Sequence, residues 1–174
     1  VSEPTLNEIW FSPRDSMILA QLVEQAPEGR IVEIGSWEGR STIVIANAAW
    51  PRPVEAVDHW LGDVSDVTLE LAQQRDVHAT WLHNMDVAGC DNVIEHNMDW
   101  RAHRDSDDRP VALVFIDAAH TYEQVDAQIT AYMKIMAPGG IVCGDDLPIN
   151  DVHRAVIEHF GTIETCERLW WKRL

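Results

Sequence analysis

Five short apolar runs recur along this chain, and a helical stretch separates most of them from the next. They are RIVEIGSW (30–37), VEAVDHW (54–60), NVIEHN (92–97), VALVFID (111–117) and IVCGDD (141–146). Runs this continuous, bounded by turn residues, read as strands buried on both faces. Strands that alternate with helices imply a doubly wound, mostly parallel sheet flanked by helices on both faces, an α/β fold. In such sheets ligands bind beyond the carboxyl ends of the strands, where strand order reverses. The residues that close each run are therefore the ones to read: Glu33 and Gly35, Asp58, Asn97, Asp117, and Asp145 with Asp146. Nearly every strand tip carries an acid.

The helices are punctuated by their own signals. Ser12 and Pro13 open a helix as cap and first residue. The stretch GRSTIVIANAAW is helical until Pro51 stops it. Residues 64–88 read as two helical pieces closed by Gly89. Thr121 and Gln124 have capping-box spacing. Val125, Ile129, Tyr132, Met133 and Met136 then share one face, and Pro138, Gly139 and Gly140 end that helix. RDSDDRP (104–110) reads as a charged loop, DVHRAVIEHFG as a helix, and TIETCERLWWKRL as one or two closing strands. At 174 residues the chain is expected to form one domain, 1–174, with a sizeable core.

The formal net charge of −16 argues against nucleic acid and anionic membranes as partners, since both need basic patches. No apolar run approaches bilayer length. The opening VSEPTLNEIW lacks a basic region followed by an apolar one, so no signal peptide is expected. Three cysteines without C-x-x-C spacing point away from a disulfide framework or zinc ribbon and toward a reducing cytoplasm. Eight tryptophans are compatible with a homodimer.

The loop EIGSWEGRST carries E-x-G-x-x-x-G. A dinucleotide needs bare backbone at the second glycine of G-x-G-x-x-G, and here that position is Trp37. S-adenosylmethionine has no phosphate, and its cationic methionine end suits an acid such as Glu33. Asp58 is placed to accept hydrogen bonds from ribose hydroxyls. The alternative is an ordinary strand-to-helix turn with Gly35 and Gly39 as turn residues and Glu33 as a cap.

At the other tips, strands four and five should run about 4.8 Å apart. Asp117 would then lie beside Asp145 and Asp146, and three carboxylates repel one another unless something positive sits among them. Hard oxygen ligands select Mg²⁺, Ca²⁺ or Mn²⁺ over zinc. His120 titrates in the range that suits a general base. The alternatives are that Asp145 caps a loop, that Asp146 is solvated, and that His120 merely starts a helix. His59 and Trp60 either shape a pocket or pack on residues 64–88.

VEIGSWEGRST, VDHWLGD, NVIEHN, VFIDAAHTYEQV and MAPGGIVCGDDL together resemble the class I S-adenosylmethionine-dependent methyltransferases. More narrowly they resemble methyltransferase domain family 24, related to macrolide-sugar O-methyltransferases and cephalosporin hydroxylase-like proteins. Catechol-type enzymes have a similar arrangement of acids at the tips of strands four and five. The resemblance implies a Rossmann-like fold with Glu33, Gly35 and Ser36 at the methionine part of the cofactor. It places Asp58 on the ribose, Asn97 and Met98 by the adenine, and Asp117, Asp145 and Asp146 on a divalent cation, Mg²⁺ first. Trp37, Gly39, Ser41, His59 and Asp117 complete the expected cofactor surroundings. His120 falls where catechol enzymes carry a catalytic lysine, so His120 and Asp117 are the expected catalytic pair. The chain departs from the family in His96-Asn97-Met98 after strand three and in DAAH for the commoner DGDH, and from the catechol enzymes in Asp145-Asp146 for Asp-Asn. The expected activity is O-methylation of a small-molecule hydroxyl. The alternatives are a metal-dependent hydroxylase-like protein and a non-catalytic cofactor-binding module on the same fold.

Overall fold

The structure, a computed structural model, describes residues 3–8 and 10–174. In chain order its elements are α1 (Pro13–Gln25), β1 (Arg30–Ile34), α2 (Arg40–Ala49), β2 (Val54–Asp58), α3 (Thr68–Gln74), α4 (Val77–Ala88) and β3 (Val93–Asn97). They continue with α5 (Trp100–Ser106), β4 (Val111–Ile116), α6 (Tyr122–Met133), β5 (Met136–Gly144), α7 (Asn150–Phe160), β6 (Glu164–Cys166) and β7 (Leu169–Arg173). The strands form one sheet in the order β3-β2-β1-β4-β5-β7-β6. β1 to β5 pair in parallel, and β6 and β7 close the edge as an antiparallel hairpin. The chain winds outward from β1 to β3 and then returns to β4 on the other side of β1. The reversal point therefore lies between β1 and β4, where a crevice forms at the strand tips.

Both faces of the sheet are covered, which is why β1 and β4 are buried along their whole length. On one face Leu19, Leu22 and Val23 of α1 and Ile45 of α2 pack on Ile31, Leu113, Phe115 and Ile141. On the other, Val125, Ile129 and Tyr132 of α6 and Val152 and Val156 of α7 pack on Val32, Ile34, Val114 and Val142. A third cluster seats Trp81 and Met85 of α4 against Trp60 and Ala56. Burying each such large apolar side chain contributes about 1.5–3 kcal/mol.

Local signals were followed at α1, where the Ser12 hydroxyl accepts from the Asp15 amide at 3.0 Å, and at α4, where Gly89 closes the helix with φ of 67°. Three elements differ from the sequence reading. First, α6 stops at Met133, and Met136 begins β5, paired with Val111. The register with β4 then shifts, so Pro138 and Gly139 sit in a bulge and Ile141 pairs with Leu113. Strand pairing satisfies backbone groups that one more helical turn would have left against a proline. Second, the Thr121 hydroxyl donates to Gln124 Oε1 at 2.9 Å instead of capping a backbone amide, and the Gln124 amide reaches Asp63 at 3.2 Å. Third, the stretch read as loop includes the end of α5, which Asp99 caps by accepting from the Arg101 amide. No helix among the described residues is long and apolar enough to cross a membrane.

Candidate active site

A cavity of about 370 Å³ opens at the tips of β1, β2, β4 and β5. That lies within the ~300–1,000 Å³ typical of small-molecule sites. It is reached by Gly35, Trp37, Asp58, His59, Met98 and Asp117, and by His120, Asp145 and Asp146. Those nine of the residues expected from the sequence therefore share one space. Ser36 and Ser41 line a smaller adjoining pocket of about 50 Å³.

The β1 tip can turn only because residue 35 is glycine. Its φ is +89°, and a Cβ there would lie 2.3 Å from the Asp117 carbonyl oxygen. The loop that follows is pinned from two sides. One Asp58 oxygen accepts from the Ser36 and Trp37 amides, both at 2.9 Å, and the other from the Trp60 amide at 2.7 Å. The Trp37 carbonyl accepts from the Trp60 indole at 2.8 Å. Trp37 and Trp60 both have positive φ, an uncommon backbone state for bulky residues, and it is held here by these bonds.

Three residues expected at the cofactor are placed elsewhere. Glu33 is fully buried and does not line the cavity; its carboxylate accepts from the hydroxyls of Ser41 at 2.6 Å, Ser36 at 2.8 Å and Thr42 at 2.5 Å. A buried carboxylate needs such donors, and the first turn of α2 supplies two of them. Glu33 therefore braces the loop from beneath. Burial pushes its pKa up to about 7, with the three hydroxyls pulling the other way. Gly39 is the left-handed cap of α2, with Met85 and Trp81 packed where a side chain would go. Asn97 is exposed at the outer edge of the sheet, paired with Asp58.

At the tips of β4 and β5, Asp145 and Asp146 are nearly buried, at 4 % and 6 % exposure. The positive group between them in this structure is Arg168, from the two-residue turn of the β6–β7 hairpin. Its Nε lies 3.3 Å from Asp145 Oδ2, and its Nη2 contacts Asp146 Oδ1. His120 spans two further carboxylates, with Nδ1 3.1 Å from Asp66 and Nε2 2.6 Å from Asp146. Ligand atoms of Asp117, His120 and Asp146 all lie within 4.8 Å of one another. The Asp145 Oδ1 atom is buried without a hydrogen-bond partner. The trio that meets is therefore Asp117, His120 and Asp146, a mostly hard, oxygen-rich set that fits a divalent cation, whereas Asp145, expected from the sequence as a third ligand, lies outside it because its Oδ2 is turned to Arg168.

The electrostatics follow from crowding. Burial, then the Asp145 charge, raise the Asp117 carboxyl well above its ordinary range. Burial raises Asp145 to about 6, opposed by Arg168. For His120 burial disfavours the charged form, but the Asp66 hydrogen bond and the charges of Asp117, Asp66 and Asp63 outweigh it and raise the pKa.

Sequence reasoning missed Asp66, Arg168 and Trp10. Trp10 lines the cavity and lies 6.0 Å from Trp37 between ring centroids. The segment leading to it is tied down by Glu8, which pairs with Arg75 at 2.6 Å, and by Asn7, whose amide donates to Glu38 at 2.7 Å. None of these partners is near in sequence, so no local pattern announces them.

Away from the cavity, Glu55, His96 and His103 also bring ligand atoms together. There Arg30 already balances the charge, with Nη2 2.5 Å from Glu55, and His103 donates or accepts at both ring nitrogens, to Glu55 at 2.9 Å and Tyr132 at 3.0 Å. This is a closed polar network beneath α5 and α6.

Compared with known proteins, residues 32–147 match the family described as methyltransferase domain, family 24. No curated protein matches the chain. Among solved structures, the O-methyltransferase NovP is similar at TM-score 0.71 and 18% identity, over 91% of this chain and 78% of that one. The O-methyltransferase TomG from Streptomyces achromogenes, involved in tomaymycin synthesis and solved with SAM, gives TM-score 0.70 at 18% identity over 95% and 81%. An O-methyltransferase from Bacillus cereus in complex with SAH gives 0.69 at 17% over 92% and 80%.

Proposed function

This chain belongs to methyltransferase domain family 24, within the class I S-adenosylmethionine-dependent methyltransferases, and on that premise we propose that it methylates a hydroxyl of a small molecule with a divalent cation at the strand tips. The observation that carries the reading is the single cavity in which Asp58, Asp117, His120, Asp145 and Asp146 converge. TomG and the Bacillus cereus enzyme, solved with SAM and SAH, support the cofactor.

Gly35 and Asp117 border the methionine end, and Met98 and His59 flank the adenine. Asp58 holds the ribose. A carboxylate offers about four lone-pair sites, and three backbone amides occupy Asp58, leaving room for a ligand hydroxyl. Asp117 and Asp146 would hold the cation, with His120 alongside and Asp145 next to them as a further carboxylate. When bound, S-adenosylmethionine supplies an electrophilic methyl group, and the cation supplies charge that favours an ionised acceptor hydroxyl. His120 is the proton acceptor at Nε2 once that nitrogen parts from Asp146, and Asp66 orients the ring through Nδ1. Trp10, Trp37 and Trp100 wall the space and limit water. Three free thiols suit a reducing, cytoplasmic setting.

The test is calorimetric titration of S-adenosylhomocysteine into wild type and Asp58→Asn. Micromolar binding that the substitution weakens about tenfold or more is expected, the scale of one charge-assisted hydrogen bond. Absence of binding to wild type refutes the reading.

A further inference from the structure

The cation proposed above and Arg168 compete for the same oxygens. Arg168 Nε lies 3.3 Å from Asp145 Oδ2, and Nη2 contacts Asp146 Oδ1. The other Asp146 oxygen is taken by His120 at 2.6 Å. Yet the site retains an unmet demand. Asp145, with a side chain 3% exposed, has a second oxygen that is buried and unpartnered. Arg168 leaves it unpaired although its guanidinium is next door, and Asp117 makes no side-chain hydrogen bond with it. One guanidinium and one imidazole face four acids here: Asp66, Asp117, Asp145 and Asp146.

The two ends of Arg168 are held very differently. Its backbone is fixed, since its carbonyl accepts from the Leu147 amide at 3.0 Å, just beyond the two aspartates. Glu167 beside it has φ of +46°, so the pair forms the tight turn joining β6 and β7. The side chain, in contrast, is 40% exposed and borders the cavity. The carboxylates are buried but the guanidinium reaches solvent, so its charge is screened and it has somewhere to go when a stronger cation arrives. A divalent ion brings two charges to the same carboxylates, where a guanidinium brings one.

We propose that Arg168 is a displaceable internal counter-ion: it neutralises Asp145 and Asp146 while the site is empty, and divalent cation binding releases it into the cavity. The inference rests on the cation reading given above. Arg168 is thus a positioning residue that sets cation affinity. It keeps two buried carboxylates from repelling each other apart before loading, and it makes the affinity lower than the acids alone would give. Once released, the guanidinium borders the cavity as a donor for an anionic group on the acceptor.

The probe is Mn²⁺, whose electron paramagnetic resonance signal falls on binding, titrated into wild type, Arg168→Gln and Arg168→Lys. S-adenosylhomocysteine binding is measured on the same preparations. Arg168→Gln should bind Mn²⁺ more tightly than wild type by about tenfold or more, the scale of removing a competing charge from two buried carboxylates. Arg168→Lys, which keeps the charge, should remain close to wild type. A second measurement needs no variant: the Arg168 Nε–H resonance of wild type should move on adding Mg²⁺. Equal or weaker Mn²⁺ binding by Arg168→Gln overturns the proposal. So does an unmoved Arg168 resonance at saturating Mg²⁺, or the absence of Mn²⁺ binding to all three proteins. Retained S-adenosylhomocysteine binding in those cases leaves the methyltransferase reading standing, and its loss in wild type sinks that reading separately.

Discussion

Glu33 offers a sharp test because its environment and its sequence context point in opposite directions. A carboxylate buried with only hydroxyl donors titrates at about 7 in the folded chain, against 4.5 when exposed. A raised acid pKa means that the folded state holds the proton more tightly. The stabilising contribution of protonated Glu33 is therefore complete below pH 4.5 and is lost as pH rises through 7. The full shift corresponds to about 3 kcal/mol, and the part falling between pH 5 and pH 8 to about 2.5 kcal/mol. Glu33→Gln keeps the shape and removes the titration. Urea unfolding of both proteins at pH 5, 6, 7 and 8 gives the difference in stability at each pH, in which every other titrating group cancels. That difference should move in favour of the glutamine variant by about 2.5 kcal/mol across the range, equivalent to roughly 5–10 °C in midpoint for a chain of this length. A difference that stays flat with pH refutes the account of Glu33 as an acid held neutral by burial.

Two further outcomes follow from packing. Glu55→Ala removes the closest partner of the buried Arg30 guanidinium, leaving it Asp107 at 3.5 Å, and should cost about 2–3 kcal/mol by urea unfolding at neutral pH; a loss under about 1 kcal/mol would mean that Asp107 alone balances Arg30. Gly35→Ala places a methyl group against the Asp117 carbonyl in a backbone state alanine resists. It should destabilise by about 3 kcal/mol and abolish measurable S-adenosylhomocysteine binding, while unchanged affinity would show that the β1 tip has slack.

Alternating β-branched runs and helical stretches were enough to specify a parallel sheet, because burial on both faces leaves a local mark in the central strands; β3, read as buried too, is the sheet's edge strand and is largely exposed. The acids at the strand tips were legible for the same reason: they end runs that are otherwise apolar. Gly35, Asp58, Asp117, His120, Asp145 and Asp146 meet in one cavity because the sheet's order brings β1, β2, β4 and β5 tips together, and the rule relating strand ends to ligand sites anticipates that. Family membership could be read from the same stretches.

What the sequence could not decide is which acids face the ligand and which are spent inside. Glu33 and Asp58 look alike as strand-end carboxylates, yet one is sealed beneath the loop by hydroxyls from α2 and the other borders the cavity. The outcome depends on where α2 sits on the sheet, a long-range fact. α6 ends a turn early because β4 offers Met136 a partner some 25 residues away in sequence. The cation between Asp145 and Asp146 is a residue 22 positions beyond Asp146, delivered by a hairpin that doubles back against β5. Local patterns report burial and turns; the pairing of charges depends on through-space distance, and only the folded sheet sets that.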